Sequence, residues 1–231
     1  MRTIGFIGAF DKSDLIMYLG KIITVLRKKV LIIDATSKQK MRYIIPAINP
    51  TKSYITEYEQ FDVAVGFDNF EDIKKYLAIT EDNYLEYDYV LIDMDADWQF
   101  TGFNMADAYR NYFVTSFDTY SIKKGLETIE KMNRKIKMTK IIFSQDIIKE
   151  DDDYLDYLSS GYDLEWNKYK IRFPYEEGDH TAIMENQRLS KIKFKKLTMQ
   201  YKEAMIELVG QIVEKTSDAE VRKACKIIEK E

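Results

Sequence analysis

The residues of this chain best placed to do chemistry gather at the ends of three short apolar runs. The first run, residues 3–10, overlaps the segment Gly8-Ala9-Phe10-Asp11-Lys12-Ser13. The second, residues 29–34, ends on Asp34, and the third, residues 87–93, ends on Asp93. A glycine at a strand-to-helix turn lets backbone N–H groups converge on an anion at the helix N-terminus. Read without that context, Lys12 and Ser13 are an ordinary helix start with Asp11 or Ser13 as N-cap. Asp93 lies where α/β proteins build their sites, at the C-terminal end of a strand, and a structural carboxylate fits there equally well. Asp95 and Asp97 come soon enough after it to hold a cation jointly, or simply form a solvated turn.

Other chemistries are excluded by count. The chain has one cysteine, Cys225, and one histidine, His180. An internal disulfide and a His/Cys zinc site are therefore impossible, which fits a reducing cytosol and a cytoplasmic protein. His180 has no plausible nucleophile beside it in the sequence, and Cys225 reads as a small apolar side chain. With 35 Lys and Arg against 39 Asp and Glu, the net charge is −4, which argues against a broad nucleic-acid footprint. One dense basic run remains, with Arg188, Lys191, Lys193, Lys195 and Lys196 interleaved with Ile192 and Phe194. It reads as a solvated helix face, or as a patch that meets nucleic-acid phosphate.

The elements that must position these residues are read from periodicity. The three runs, together with residues 111–116 and 139–143, are of strand length and apolar on both alternate faces. That is the pattern of central parallel strands covered on both sides. Residues 12–27 carry Leu15, Leu19, Ile22, Ile23 and Leu26 at helical spacing, which completes a right-handed βαβ unit. Residues 56–67 read as an edge strand or a hairpin. A helix then starts from a capping box spanning Asp68 to Glu71 and runs to Leu77. Residues 121–132 read as another helix, and residues 149–156 as a loop or a helix start. Residues 181–215 show helical periodicity throughout. The 231 residues suffice for one large core, expected here as a single domain over residues 1–215 with a charged helical tail over 216–231. The tail places Val221, Ala224, Cys225, Ile227 and Ile228 on one helical face. It lacks large aromatics, so it is expected to pack on the domain or a partner rather than a membrane. No run reaches the ~18 apolar residues that a membrane span needs.

In order and spacing, these landmarks resemble the ParA/MinD family of P-loop ATPases, including its plasmid-partition and TadZ-like pilus-localisation branches. The pair Leu19-Gly20 and the segment Lys29-Val30-Leu31-Ile32-Ile33-Asp34 fall into the family pattern without a gap. The resemblance implies an α/β fold, a P-loop NTPase-like three-layer αβα sandwich with a mostly parallel central sheet. It implies ATP and Mg2+ as cofactors, with Gly8, Lys12, Ser13 and Asp34 around the nucleotide and Ser13 and Asp93 at the metal. It also implies a protein partner or a face-to-face homodimer. Four positions depart from the pattern. Asp11 and Ala9 replace loop glycines, Ile7 replaces the lysine that reaches into a partner's site, and Thr36 replaces an aspartate associated with water activation. The Walker A motif is degenerate by this reading, which points to a non-catalytic or weakly nucleotide-binding localisation or assembly factor. An active partition ATPase is the alternative.

Overall fold

The computed structural model describes residues 1–47, 52–79, 86–132, 134–144 and 152–231. Eight strands form one sheet in the order β3-β4-β2-β5-β1-β6-β7-β8. They are β1 (Arg2–Ile7), β2 (Val30–Asp34), β3 (Tyr54–Tyr58), β4 (Phe61–Val65), β5 (Tyr89–Met94), β6 (Arg110–Ser116), β7 (Ile136–Ser144) and β8 (Leu164–Pro174). Each neighbouring pair is parallel except β3 and β4. The central strands β2 and β5 are buried at every position, as strands covered on both faces must be.

Helices cover both faces. On one side α1 (Ser13–Val25), α7 (Glu177–Leu189), α8 (Met199–Ile212) and α9 (Asp218–Ile228) close a core around Leu19, Ile32 and Leu208. On the other, α3 (Phe70–Ile79), α4 (Asp97–Gly102), α5 (Thr119–Met132) and α6 (Asp153–Ser159) enclose Ile33, Ile92 and Leu126. A single-turn helix, α2 (Met41–Ile44), comes after β2. The fold is thus the expected three-layer αβα sandwich on a mostly parallel sheet.

Several elements differ from their expected form. Residues 56–67 resolve into the hairpin β3–β4, whose turn residues Glu59 and Gln60 both have positive φ, 51° and 71°. Such a turn usually announces itself with Asn-Gly or Gly-Gly, and here it does not. The cap of α3 is Asn69, whose Oδ1 accepts the Asp72 N–H at 2.9 Å, one residue later than the expected box. The first run ends its strand at Ile7, so residues 8–12 are loop. The part of the acidic stretch before Asp152 lies outside the described residues, and α6 begins directly after Asp152. The periodicity over 181–215 is broken by residues 190–198, because Ser190 turns left-handed at φ 48° and ends α7.

That break corrects the reading of the basic run. Residues 191–196 are not a helix face. Ile192 and Phe194 are buried, Phe194 lying 5.5 Å ring to ring from Tyr18 of α1. Asn186 ties the segment down by donating to Lys193 O and to the Tyr18 hydroxyl. The apolar residues interleaved with the lysines therefore serve the core, and no nucleic acid could reach them.

The last helix, α9, packs on α1 and α8 through Val221, Ala224, Cys225 and Ile228. Ile227, expected on that face, is 43% exposed.

Candidate phosphate-loop site

Strand register brings the chemistry together. Phe6 and Asp34 both lie opposite Asp93, so the ends of β1, β2 and β5 meet at one level. The chain leaves β1 through Gly8, at φ 144°, whose N–H donates to Met94 O at 3.2 Å. A Cβ there would sit 2.2 Å from Val114 O, so only glycine lets the loop pass this close to β6.

Lys12, Ser13 and Asp93 form one buried cluster. Lys12 Nζ lies 2.7 Å from Asp93 Oδ1 and donates to Gly8 O at 2.9 Å. Ser13 Oγ donates to Asp93 Oδ2 at 3.1 Å. Asp93 Oδ1, although in contact with Lys12, has no aligned hydrogen bond. Burial pushes the Asp93 carboxyl up to about 6, against the pull of the Lys12 ammonium. A hydroxyl beside a buried carboxylate with spare acceptor capacity is donor chemistry suited to a hard divalent cation such as Mg2+.

Asp34 is spent differently. Its Oδ1 accepts from Thr36 N and Oγ1, and its Oδ2 from Met41 N at 2.9 Å. It therefore shapes the turn into α2, and burial raises its carboxyl above the ordinary value. Thr36 serves this turn rather than facing open space.

At the N-terminus of α1 one amide is already taken, although the N-cap residue Lys12 makes no side-chain cap bond. Asp11 Oδ1 accepts the Ser13 N–H at 3.2 Å, placing a carboxylate against the amide that a bound anion would use. Lys40, just before α2, holds the arrangement from the side, with Nζ 2.7 Å from both Asp11 and Asp14. Burial pushes the Asp11 carboxyl up, but Lys40 and the Ser13 amide outweigh it and leave it below the ordinary value. Gln187 of α7 also donates to Asp14, at 2.8 Å.

Asp95 and Asp97 do not form a cation pair. Asp95 accepts from Ser37 N and Oγ, both at 3.0 Å, while Asp97 opens α4. Gln99, fully buried, donates to Ala35 O and accepts from Asp95 N and Ala96 N. The loops after β2 and β5 are thus latched to each other. Among the described residues, no group of three or more His, Cys, Asp or Glu could hold a metal. His180 is exposed on α7, and Cys225 is buried, its thiol pushed up to about 12 by burial.

Sequence reasoning brought Gly8, Lys12, Ser13 and Asp93 to one place and missed Lys40, Ser37 and Gln99. Nothing in the local pattern marks those three, since each reaches a residue 26 or more positions away.

The sheet and its two helix layers form an α/β sandwich of the P-loop NTPase type, with a glycine-turned loop, a lysine and hydroxyl opening α1, and an aspartate near the end of the neighbouring strand at its C-terminal edge. More narrowly, the fold is that of the MinD and ParA ATPases. The chain resembles a chain of the MinC:MinD cell division protein complex from Aquifex aeolicus, with a TM-score of 0.61 at 16% identity over 94% of this chain and 98% of that one. It resembles the septum site-determining protein MinD with Mg-ADP from Pyrococcus horikoshii, with a TM-score of 0.59 at 14% identity over 92% and 96%. A putative plasmid partition protein from Borrelia burgdorferi bound to AMPPNP gives 0.58 at 13% over 92% and 99%. No protein-family model and no curated protein sequence matches the chain.

Proposed function

We propose that this chain is a ParA/MinD-type positioning or assembly factor whose phosphate loop has been converted from an anion cradle into a self-capped turn. The observation that carries the reading is the Asp11 carboxylate on the Ser13 amide, held there by Lys40. A triphosphate entering the loop would have to displace that carboxylate and would meet Asp14 as a second like charge. The donors for Mg2+, Ser13 and Asp93, fit the ion, whereas the cradle above them does not fit the phosphates. Thr36 and Ile7 supply neither the water-activating carboxylate nor the trans lysine that the resemblance would require. The Ser37–Asp95 and Gln99 latch favours one fixed arrangement of the loops that a nucleotide would otherwise switch.

By this reading the chain works through a protein partner or a second copy of itself, as the MinC:MinD complex illustrates for a protein of the same fold. TadZ-like placement of a pilus or secretion apparatus is the most specific role in keeping with it. The alternative, a partition ATPase, draws on the assembled Lys12–Ser13–Asp93 cluster. Calorimetric titration with ATP and Mg2+, paired with a phosphate-release assay, separates the two. The expected result is no turnover. Binding tighter than ~100 µM, about −5.5 kcal/mol, that is lost in Lys12→Ala would sink the proposal.

A further inference from the structure

We infer that the cleft beside the loop takes a small organic cation, an ammonium or guanidinium group on an apolar body about the size of one ring. The inference rests on the reading that the loop no longer cradles a triphosphate. The cleft, of about 330 Å3, runs from the loop between α1 and α7 to the ends of β7 and β8. That volume lies at the small end of ligand pockets.

One wall is aromatic. Phe10 stacks on Phe143 with ring centroids 4.8 Å apart, and Tyr175 meets Phe10 edge-on at 6.0 Å. The charged lining is mainly acidic, with Asp11, Asp14, Glu176 and Asp179 set against Lys40, and His180 one turn along α7 from Glu176. The loop end already holds an ammonium, since Lys40 Nζ sits between Asp11 and Asp14. This internal cation shows which charge the carboxylates at the mouth accept. Asp179 is occupied by Thr198 N and Oγ1, which leaves the Glu176 side chain, at the start of α7, to meet a ligand's charge. Aromatic faces attract cations, and a carboxylate beside them adds the charge complement. A phosphate-bearing ligand would meet four carboxylates against a single lysine ammonium in the same space.

The test compares phenethylamine with its neutral isostere phenethyl alcohol and with phenylacetate, by calorimetry and protein NMR. The amine is expected to bind roughly tenfold tighter than the alcohol, with the acid weakest. Tyr175→Ala and Glu176→Gln, at solvent-reachable positions, should each weaken amine binding about fivefold without changing thermal unfolding. Equal binding of amine and alcohol, or an amine affinity indifferent to Glu176→Gln, would overturn the inference. If ATP with Mg2+ displaces the amine and binds more tightly, both this inference and the proposed function fail. If neither binds, this inference alone fails.

Discussion

At the scale of single residues, two carboxylates set the behaviour of the loop. Asp93 is fully buried beside one lysine, and burial wins, lifting its carboxyl from the ordinary 3.8 to about 6. The native state then binds more protons than the unfolded chain between those values, so stability falls as pH rises from about 4 to about 6. At 1.36 kcal/mol per pH unit, the ionised form costs about 3 kcal/mol above that window. Carboxyl 13C NMR should show Asp93 titrating near 6, and a midpoint at or below the ordinary value would mean that Lys12 prevails. Asp11 acts in the opposite sense, as a stabilised anion on the α1 amide. Asp11→Gly should free that amide and remove a negative charge from the mouth. An affinity gain of about tenfold for ATP with Mg2+, measured by calorimetry, is expected, or roughly 1.4 kcal/mol. An unchanged affinity would show that the cap is not what excludes the nucleotide. Asp93 was legible in the sequence because it ends an apolar run, and Lys12 and Ser13 because they follow one and open the helix that carries Leu19-Gly20. Lys40 was not, because its role comes from the path of the chain after β2.

At the scale of elements, legibility tracked burial. The strands β1, β2, β5, β6 and β7 declared themselves as apolar runs because the sheet covers them on both faces. Strand β8 did not, because most of its length is half-exposed or exposed and mixes Lys170 and Arg172 with Ile171 and Phe173. A register shift between Met138 and Lys140 of its partner blurs the alternation further. The helix α9 is held by a capping box in which Ser217 Oγ accepts from Glu220 N and the Glu220 carboxylate accepts from Ser217 N at 2.8 Å. Ser217→Ala should cost about 1 kcal/mol in urea unfolding. Removing residues 218–231 should cost far more, since Val221 and Ile228 alone bury side chains worth roughly 1.5–3 kcal/mol each. It would also take Glu231 away from the buried Lys21. A urea midpoint unchanged by that truncation would mean that α9 is an independent tail rather than part of the core.

At the scale of the whole molecule, charge decides which partners the surface admits. The protein carries −4 overall, and its one dense basic run lies on the segment joining α7 to α8. Its apolar members face the core, and Lys196 is already paired with Glu185 at 2.6 Å. Arg188, Lys191, Lys193 and Lys195 remain to meet phosphate, with no aromatic left beside them to stack on a base. Four contacts would give a salt slope of at most about −3.6 on logarithmic axes, so any attraction to duplex DNA should vanish near physiological ionic strength. Fluorescence anisotropy with a short duplex across a salt series checks this. The expected outcome is weak retention at low salt that disappears by roughly 150 mM, with little further change in a variant carrying glutamine at Lys191, Lys193 and Lys195. Tight binding that survives that salt and is lost in the variant would restore nucleic acid as a partner, and with it the partition reading of the fold.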